Sequence, residues 1–113
     1  MRTTDAVRLR HMLEAAREGL AFAAGRTRAD LDTDRQLYLS LIRSIEVVGE
    51  AASKVSDECR SGYRAIPWVH VISMRNRLIH MYFDVDPDIV WRTTTVELPR
   101  LVSAIETLLA EEG

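Results

Sequence analysis

A cluster of polar side chains lies within an otherwise apolar stretch in the second half of the chain. Eight consecutive residues include Arg75, Asn76, Arg77, His80 and Tyr82. A guanidinium presents a rigid fork of N–H donors that matches the oxygens of a phosphate. An imidazole exchanges protons near neutral pH and can act as a general acid or base. The combination of arginine and histidine therefore indicates a site that holds a phosphodiester and moves protons on it.

The pattern Arg75-x-x-x-x-His80-x-Tyr82 resembles the signature of HEPN-domain proteins, specifically that of the HepT-like toxins. The similarity extends over most of the chain through further segments in the same order, which are 45–51, 66–68 and 82–86 followed by Trp91. One position departs from the usual pattern. The residue between the histidine and the tyrosine is often small in this family, and here it is Met81, which affects the width of the cleft mouth.

The resemblance implies an all-α fold, an antiparallel four-helix bundle, and a metal-independent endoribonuclease activity. RNA contains its own nucleophile, the 2′-OH, so the enzyme has to deprotonate it, stabilise the transition state and protonate the leaving oxygen. Arg75 would clamp the scissile phosphate and His80 would transfer protons, which leaves a 2′,3′-cyclic phosphate. Asn76 is expected to orient the phosphate or a base, and Arg77 is a supporting residue that could grip a phosphodiester.

The resemblance also implies a type VII toxin–antitoxin system. In HepT systems a small nucleotidyltransferase antitoxin transfers AMP groups to the tyrosine of the signature, here Tyr82, and so neutralises the toxin. HEPN relatives are two-fold dimers with the site at the interface, so a homodimer is expected. His80 is turned about 140° from Arg75 around an ideal helix axis, so within one chain the two groups meet only if the helix loosens near its end or Arg75 reaches around it. A symmetric dimer is the third solution. Two facing copies would bring arginine and histidine together.

Two residues of the long second helix are candidate supporting groups. Arg43 and Glu46 share one face of this helix with Glu50 and Lys54. One interpretation places Arg43 and Glu46 beside the phosphate site. The other interpretation makes all four residues an exposed ladder of ion pairs, each of which stabilises the helix by about 0.2–0.5 kcal/mol.

The composition predicts a single domain over residues 1–113, with a net charge of −2 and no apolar run of membrane-spanning length or N-terminal signal segment. One cysteine, Cys59, excludes an internal disulfide and suits the cytoplasm. His11, His70 and His80 form no zinc-ligand spacing with it, so neither a metal nor a cofactor is expected.

Charge is unevenly distributed along the chain. The segment 60–83 contains four arginines, two histidines and no acidic residue, which suits a local phosphate-binding site. For two of these arginines, Arg60 and Arg64, solvation of a helix surface is the preferred interpretation.

Two other functions remain open from the residues alone. The same helices could form a non-catalytic accessory subunit that binds nucleotide or docks a nucleotidyltransferase. Alternatively, Arg75 and His80 could form a structural cluster at the end of a helix. Cleavage of RNA that disappears when His80 is replaced would distinguish the enzyme from both.

Hydrophobic periodicity predicts four helices, and the first two precede the signature. The first starts at Thr4, which can act as a cap, and ends at Gly25. The second starts with a capping box over Thr33–Gln36 and runs to about Ser61. Gly49 lies inside it, and a glycine at such a position suggests close approach by another backbone.

The third helix carries the signature and starts at Ile66–Trp68, where a proline is tolerated in the first turn. It runs to about Tyr82 and is apolar over a wide arc, so we expect it to be the most buried helix. The fourth starts at Asp86-Pro87. Pro99 predicts a kink or a break in this helix between Glu97 and Leu101.

Overall fold

The computed structural model describes residues 1–80 and 85–112, and for Ile79 and His80 it describes the backbone alone. These residues form helices and no strand, which confirms the predicted all-α class. In chain order the helices are α1 (Thr3–Ala23), α2 (Asp30–Thr33), α3 (Arg35–Ser53), α4 (Asp57–Gly62), α5 (Trp68–His80), α6 (Pro87–Arg92) and α7 (Leu98–Glu112). The predicted end of the third helix, at about Tyr82, lies outside the described residues.

Four long elements build the bundle, namely α1, α3, α5 and the C-terminal pair of α6 and α7. Helix α1 packs against α3 and α7, and α3 also packs against α5. The inward stripe that periodicity predicts on α1 is present, with buried residues Leu9, Met12, Leu13, Ala16 and Ala23. Within the described part of the chain, no helix combines the length and the apolar character needed to cross a membrane.

The start of α1 differs from the prediction that Thr4 caps it. The helix begins at Thr3, and the preceding residue, Arg2, makes no capping hydrogen bond with its side chain. Asp5 is buried, and its carboxylate accepts hydrogen bonds from the backbone N–H of Ser56 at 2.8 Å and from the Ser56 hydroxyl at 2.7 Å. An acidic residue in the first turn of one helix therefore binds the start of another.

The connection between α1 and α3 contains the short helix α2. Gly25 has a φ of +74°, a left-handed conformation that favours glycine, and α1 ends just before it as predicted. The predicted capping box over Thr33–Gln36 is wrong by one residue. Asp34 caps α3 instead, and its carboxylate accepts a hydrogen bond of 3.0 Å from the backbone N–H of Leu37.

Helix α3 is shorter than predicted, because it ends at Ser53 and does not continue to Ser61. A new helix, α4, follows, and the hydroxyl of its cap Ser56 accepts a hydrogen bond from the backbone N–H of Cys59 at 3.2 Å. Because Asp5 also holds Ser56, a contact from α1 fixes the point at which the chain turns. Cys59 is buried, and this burial raises the pKa of its thiol.

Helix α5 begins at Trp68, directly after Pro67, in agreement with the predicted restart of the chain. The expectation that it is the most buried helix is wrong. Trp68, Met74 and Leu78 are buried, but Val69 is 81% exposed. The apolar arc of α5 therefore exceeds the surface that it packs against α3.

Helix α6 starts as predicted, with Pro87 in its first turn. The carboxylate of Asp86 caps it and accepts a hydrogen bond of 2.8 Å from the backbone N–H of Asp88. The cap and the proline that start this helix are therefore adjacent in the sequence.

The predicted irregularity near Pro99 is present as a π-helical turn over Thr93–Glu97, which joins α6 to α7. The backbone N–H of Leu98 donates to the carbonyl of Thr93, five residues earlier. The irregularity was predicted between Glu97 and Leu101. The π-helical turn ends at Glu97, so it lies about one helical turn earlier. A proline ring clashes with the carbonyl four residues before it, so the helix widens on that side.

Asp5 provides a test of the contact between α1 and α4. Burial alone would raise the pKa of its carboxyl, but the hydrogen bonds from Ser56 and the charge of Arg2 outweigh this effect, so the pKa lies below its ordinary value of 3.8. Asp5→Ala should lower the free energy of unfolding by about 2–3 kcal/mol near pH 7, because it removes hydrogen bonds to a buried charged group. Urea unfolding measures this, and Glu14→Ala, an exposed change in the same helix, is the control.

The stability that Asp5 contributes should be fully present above the ordinary carboxyl pKa and should disappear as the pH falls through the lower pKa of the folded state. The parent and the Asp5→Ala variant should therefore converge in stability at strongly acidic pH. A difference between them that is independent of pH would contradict the assigned hydrogen bonds.

Candidate active site

The Cβ and Cγ atoms of Arg75 lie directly against the backbone of α3 at Gly49. A Cβ atom on Gly49 would be 2.1 Å from the Cβ and 2.9 Å from the Cγ of Arg75, and 3.0 Å from the carbonyl oxygen of Val71. Real Cβ atoms do not approach other heavy atoms to less than 3.0 Å. The close approach predicted at Gly49 is therefore confirmed, and the group that approaches is Arg75 itself.

The Arg75 guanidinium is only partly satisfied. Its Nη1 donates a hydrogen bond of 2.9 Å to the Oδ1 of Asn76, and its Nε is buried without a hydrogen-bond partner. Among the described residues, this is the one buried side-chain nitrogen or oxygen atom left in that state. A buried donor without a partner costs about 1–3 kcal/mol, and such exceptions often mark functional sites.

The other polar residues of the signature that the structure describes are at the surface. Asn76 and Arg77 are exposed, and Arg77 forms no hydrogen bond or ion pair with any described residue. Arg77 is about 200° from Arg75 around the helix axis. The structure therefore joins Arg75 to Asn76 and places Arg77 on a different side of α5.

His80 is the last residue of α5, and its side chain is not among those described. The helix continues without interruption from Arg75 to His80, so the backbone positions stay about 140° apart around its axis. Met81 and Tyr82 lie outside the described residues. The roles assigned to His80, Met81 and Tyr82 stay predictions.

Arg43 and Glu46 form the ion pair that one interpretation predicts, with 3.6 Å between Nη1 and Oε2. Glu50 and Lys54 form a second pair one turn further on, also at 3.6 Å. Neither Arg43 nor Glu46 forms a hydrogen bond or an ion pair with Arg75. The supporting role beside the phosphate site therefore stays a prediction for both residues.

Two positively charged or titratable groups of the segment 60–83, Arg60 and His70, have acidic partners. Arg60 donates to the carboxylate of Asp57 at 3.0 Å and to the carbonyl of Val55 at 3.1 Å, at the surface of α4. His70 forms a contact of 2.6 Å between its Nε2 and the Oε1 of Glu97. This arrangement agrees with the preferred interpretation that Arg60 solvates a helix surface.

A groove of about 420 Å³ lies between α3, α5 and α7, and its lining is mostly apolar. His70, Glu97 and Arg100 contribute its polar groups. Apolar lining residues include Ile45, Val48, Val71, Met74, Leu98 and Leu101. Arg75, Asn76 and Arg77 do not line this groove, so it is separate from the signature.

Comparisons with known proteins identify similar chains. The family model described as "Ribonuclease HepT-like" matches residues 12–108. A protein of Caldanaerobacter subterraneus subsp. tengcongensis, named as a candidate RNase, is 32% identical over 92% of this chain and 93% of its own length. A protein of Thermococcus cleftensis named "Probable ribonuclease HepT" is 33% identical over 70% of this chain and 72% of its own. No solved structure matches the chain.

The buried Nε of Arg75 predicts that this residue lowers the stability of the fold. Arg75→Met keeps the apolar part of the side chain and removes the unpaired donor, so it should raise the free energy of unfolding by about 1 kcal/mol. Arg77→Met, an exposed change two residues further along the same helix, should stay within about 0.5 kcal/mol of the parent. Urea unfolding of the three proteins tests this, and a less stable Arg75→Met protein would contradict it.

Proposed function

Because the chain belongs to the HepT-like ribonuclease family, we propose that it is a metal-independent endoribonuclease that cleaves RNA through the 2′-OH. The observation that carries this proposal is the state of Arg75. Its side chain is rooted against Gly49, and no carboxylate among the described residues neutralises its guanidinium. A half-buried cation with an N–H donor that has no hydrogen-bond partner is suited to bind a phosphate.

The proposed reaction needs one cation and two proton transfers. A base removes the proton from the 2′-OH, the new P–O2′ bond forms, the P–O5′ bond breaks, and an acid protonates the departing O5′. Arg75 would stabilise the negative charge that accumulates on the phosphate oxygens, and His80 would transfer the protons. Asn76, which holds the Arg75 guanidinium, would keep it oriented toward the phosphate.

We propose that the site is shared between two copies of the chain. Arg75 and His80 are on different sides of one continuous helix, so a second copy that faces α5 would supply the missing partner. The exposure of Val69, at 81%, gives the same helix an apolar residue that a subunit interface could cover. Two histidines in one cleft could then divide the acid and base roles.

We further propose that the protein is a type VII toxin of the cytoplasm, controlled by a partner nucleotidyltransferase. Tyr82 is seven positions after Arg75 in the sequence. AMP transferred to it would add a negatively charged phosphodiester near the Arg75 guanidinium. That phosphodiester would compete with the RNA phosphate for the same guanidinium. Neutralisation would then need no large change of fold.

A second candidate function is a non-catalytic subunit that binds nucleotide or docks the nucleotidyltransferase. The apolar groove of about 420 Å³ favours it, because an apolar cavity with a few polar groups suits a nucleobase. This function makes no use of the Arg75 guanidinium. A direct assay of RNA cleavage distinguishes the two functions.

Arg75→Ala and His80→Ala should each reduce the cleavage rate of a short RNA by at least about 1,000-fold, because one removes the charge stabilisation and the other the proton transfer. Far-ultraviolet circular dichroism and the dimer mass from light scattering should stay unchanged. Arg64→Ala, an exposed arginine outside the signature, is the matched control. Parental rates in both variants would refute the proposed enzyme, and loss of fold in either would favour the structural cluster.

Tyr82→Phe should retain RNA cleavage, because the phenol takes no part in the proton transfers, and should escape modification by the partner. Co-expression with the nucleotidyltransferase should add multiples of one AMP mass to the parent chain and none to this variant, as intact-mass spectrometry can measure. Tyr63→Phe, which removes a hydroxyl that donates to Glu112, is the control and should be modified like the parent. An AMP adduct on Tyr82→Phe would assign the modification to another residue.

A further inference from the structure

We propose that Gly49 is a positioning residue for Arg75, which sets the distance between α5 and α3 and thereby the place of the guanidinium. This inference rests on the proposed role of Arg75 as the phosphate clamp. Gly49 touches neither substrate nor reacting atoms in this scheme. Its contribution is the absence of a side chain at a point where the Cβ and Cγ of Arg75 meet α3.

The contact is of a kind that a change of rotamer cannot relieve. The Cβ of Arg75 is bonded directly to the backbone, so its position is fixed by the position of α5. Two carbon atoms pack at about 3.5–4.0 Å, against the 2.1 Å that a Cβ on Gly49 would have here. A methyl group at Gly49 would therefore displace α5 from α3 by more than about 1 Å.

Other contacts hold the two helices together on both sides of Gly49. Val48 and Ala52 of α3 belong to one apolar cluster, against which Val71 of α5 packs. Ile45 of α3 and Met74 of α5 belong to another. A local displacement at Gly49 therefore changes the position of Arg75 while most of the packing between the helices persists.

The guanidinium has little freedom to compensate for such a displacement. Nε is buried against the protein, and Nη1 is bonded to Asn76, which is on the same helix and moves with it. A displacement of about 1 Å at a charge-stabilising group reduces catalysis by about 100-fold. Gly49→Ala should therefore affect the chemical step and leave the binding of RNA through other groups largely unchanged.

A second glycine offers a matched control. Gly19 is also buried inside a long helix, and a Cβ there would lie 3.1 Å from the Cδ1 of Leu98 and 3.2 Å from the Cβ of Ser44. Small adjustments of a few tenths of an ångström would accommodate it. Gly19→Ala thus tests the general effect of a methyl group on packing, away from Arg75.

The experiment measures RNA cleavage and thermal unfolding of the full chain. Gly49→Ala should lower kcat by about 100-fold with KM within about threefold of the parent, whereas Gly19→Ala should change kcat less than threefold. A parental kcat for Gly49→Ala, or an equal loss in Gly19→Ala, would overturn the proposal. Full activity of Arg75→Ala would instead overturn the proposed function. The steric contact between Gly49 and Arg75 would then be tested by unfolding measurements alone.

A double-mutant cycle judges that contact directly. In the parent, Gly49→Ala should lower the unfolding midpoint, because its Cβ collides with that of Arg75. In an Arg75→Gly background that Cβ is absent, although the Val71 carbonyl oxygen stays 3.0 Å away, so the same change should lower the midpoint far less than in the parent. An equal decrease in both backgrounds would overturn the proposal.

The double-mutant cycle also gives an answer if the Gly49→Ala variant fails to fold. If Gly49→Ala alone does not fold, a folded protein carrying both changes would support the steric contact. An unfolded protein carrying both changes would overturn it.

Discussion

Where α5 meets α3, the side chain of one helix rests on the bare backbone of the other. The contact at Gly49 places the Cβ of Arg75 where the Cβ of any other residue would stand. Both the spacing of the two helices and the position of the guanidinium depend on it. The fold and the candidate site are thus coupled at a single residue that carries no functional group, and the unpaired Nε of Arg75 lies buried in the same region.

Local patterns predicted the parts of this fold that local interactions determine. The start of α6 at Asp86-Pro87 follows from a capping side chain and a proline that lie next to each other in the chain. The end of α3 could not be predicted in this way. Asp5 binds Ser56 across 51 positions of sequence, and this tertiary contact holds the chain just after the long helix stops. Periodicity continues through such a break, because it reports burial and not hydrogen bonds between distant residues.

The candidate site could be predicted in its residue types but not in its arrangement. The spacing of Arg75 and His80 indicated phosphate chemistry, and Gly49 indicated a close approach by some backbone. That these two indications refer to one contact is visible only in three dimensions. The pairing of Arg43 with Glu46 also agrees with helical spacing, but their distance from the guanidinium depends on how α3 is rotated in the bundle.

The position of α5 at the edge of the bundle has a consequence for the dynamics of the site. Among the described residues this helix packs mainly against α3, whereas α1 and α3 each pack against at least two other elements. Elements with fewer buried contacts open locally at a free energy below that of global unfolding. The backbone amides of α5 should therefore exchange with solvent deuterium faster than those of α1 and α3. Each local opening would separate Arg75 from Gly49, so the population of molecules in which the candidate site is assembled would follow the opening equilibrium of this one helix.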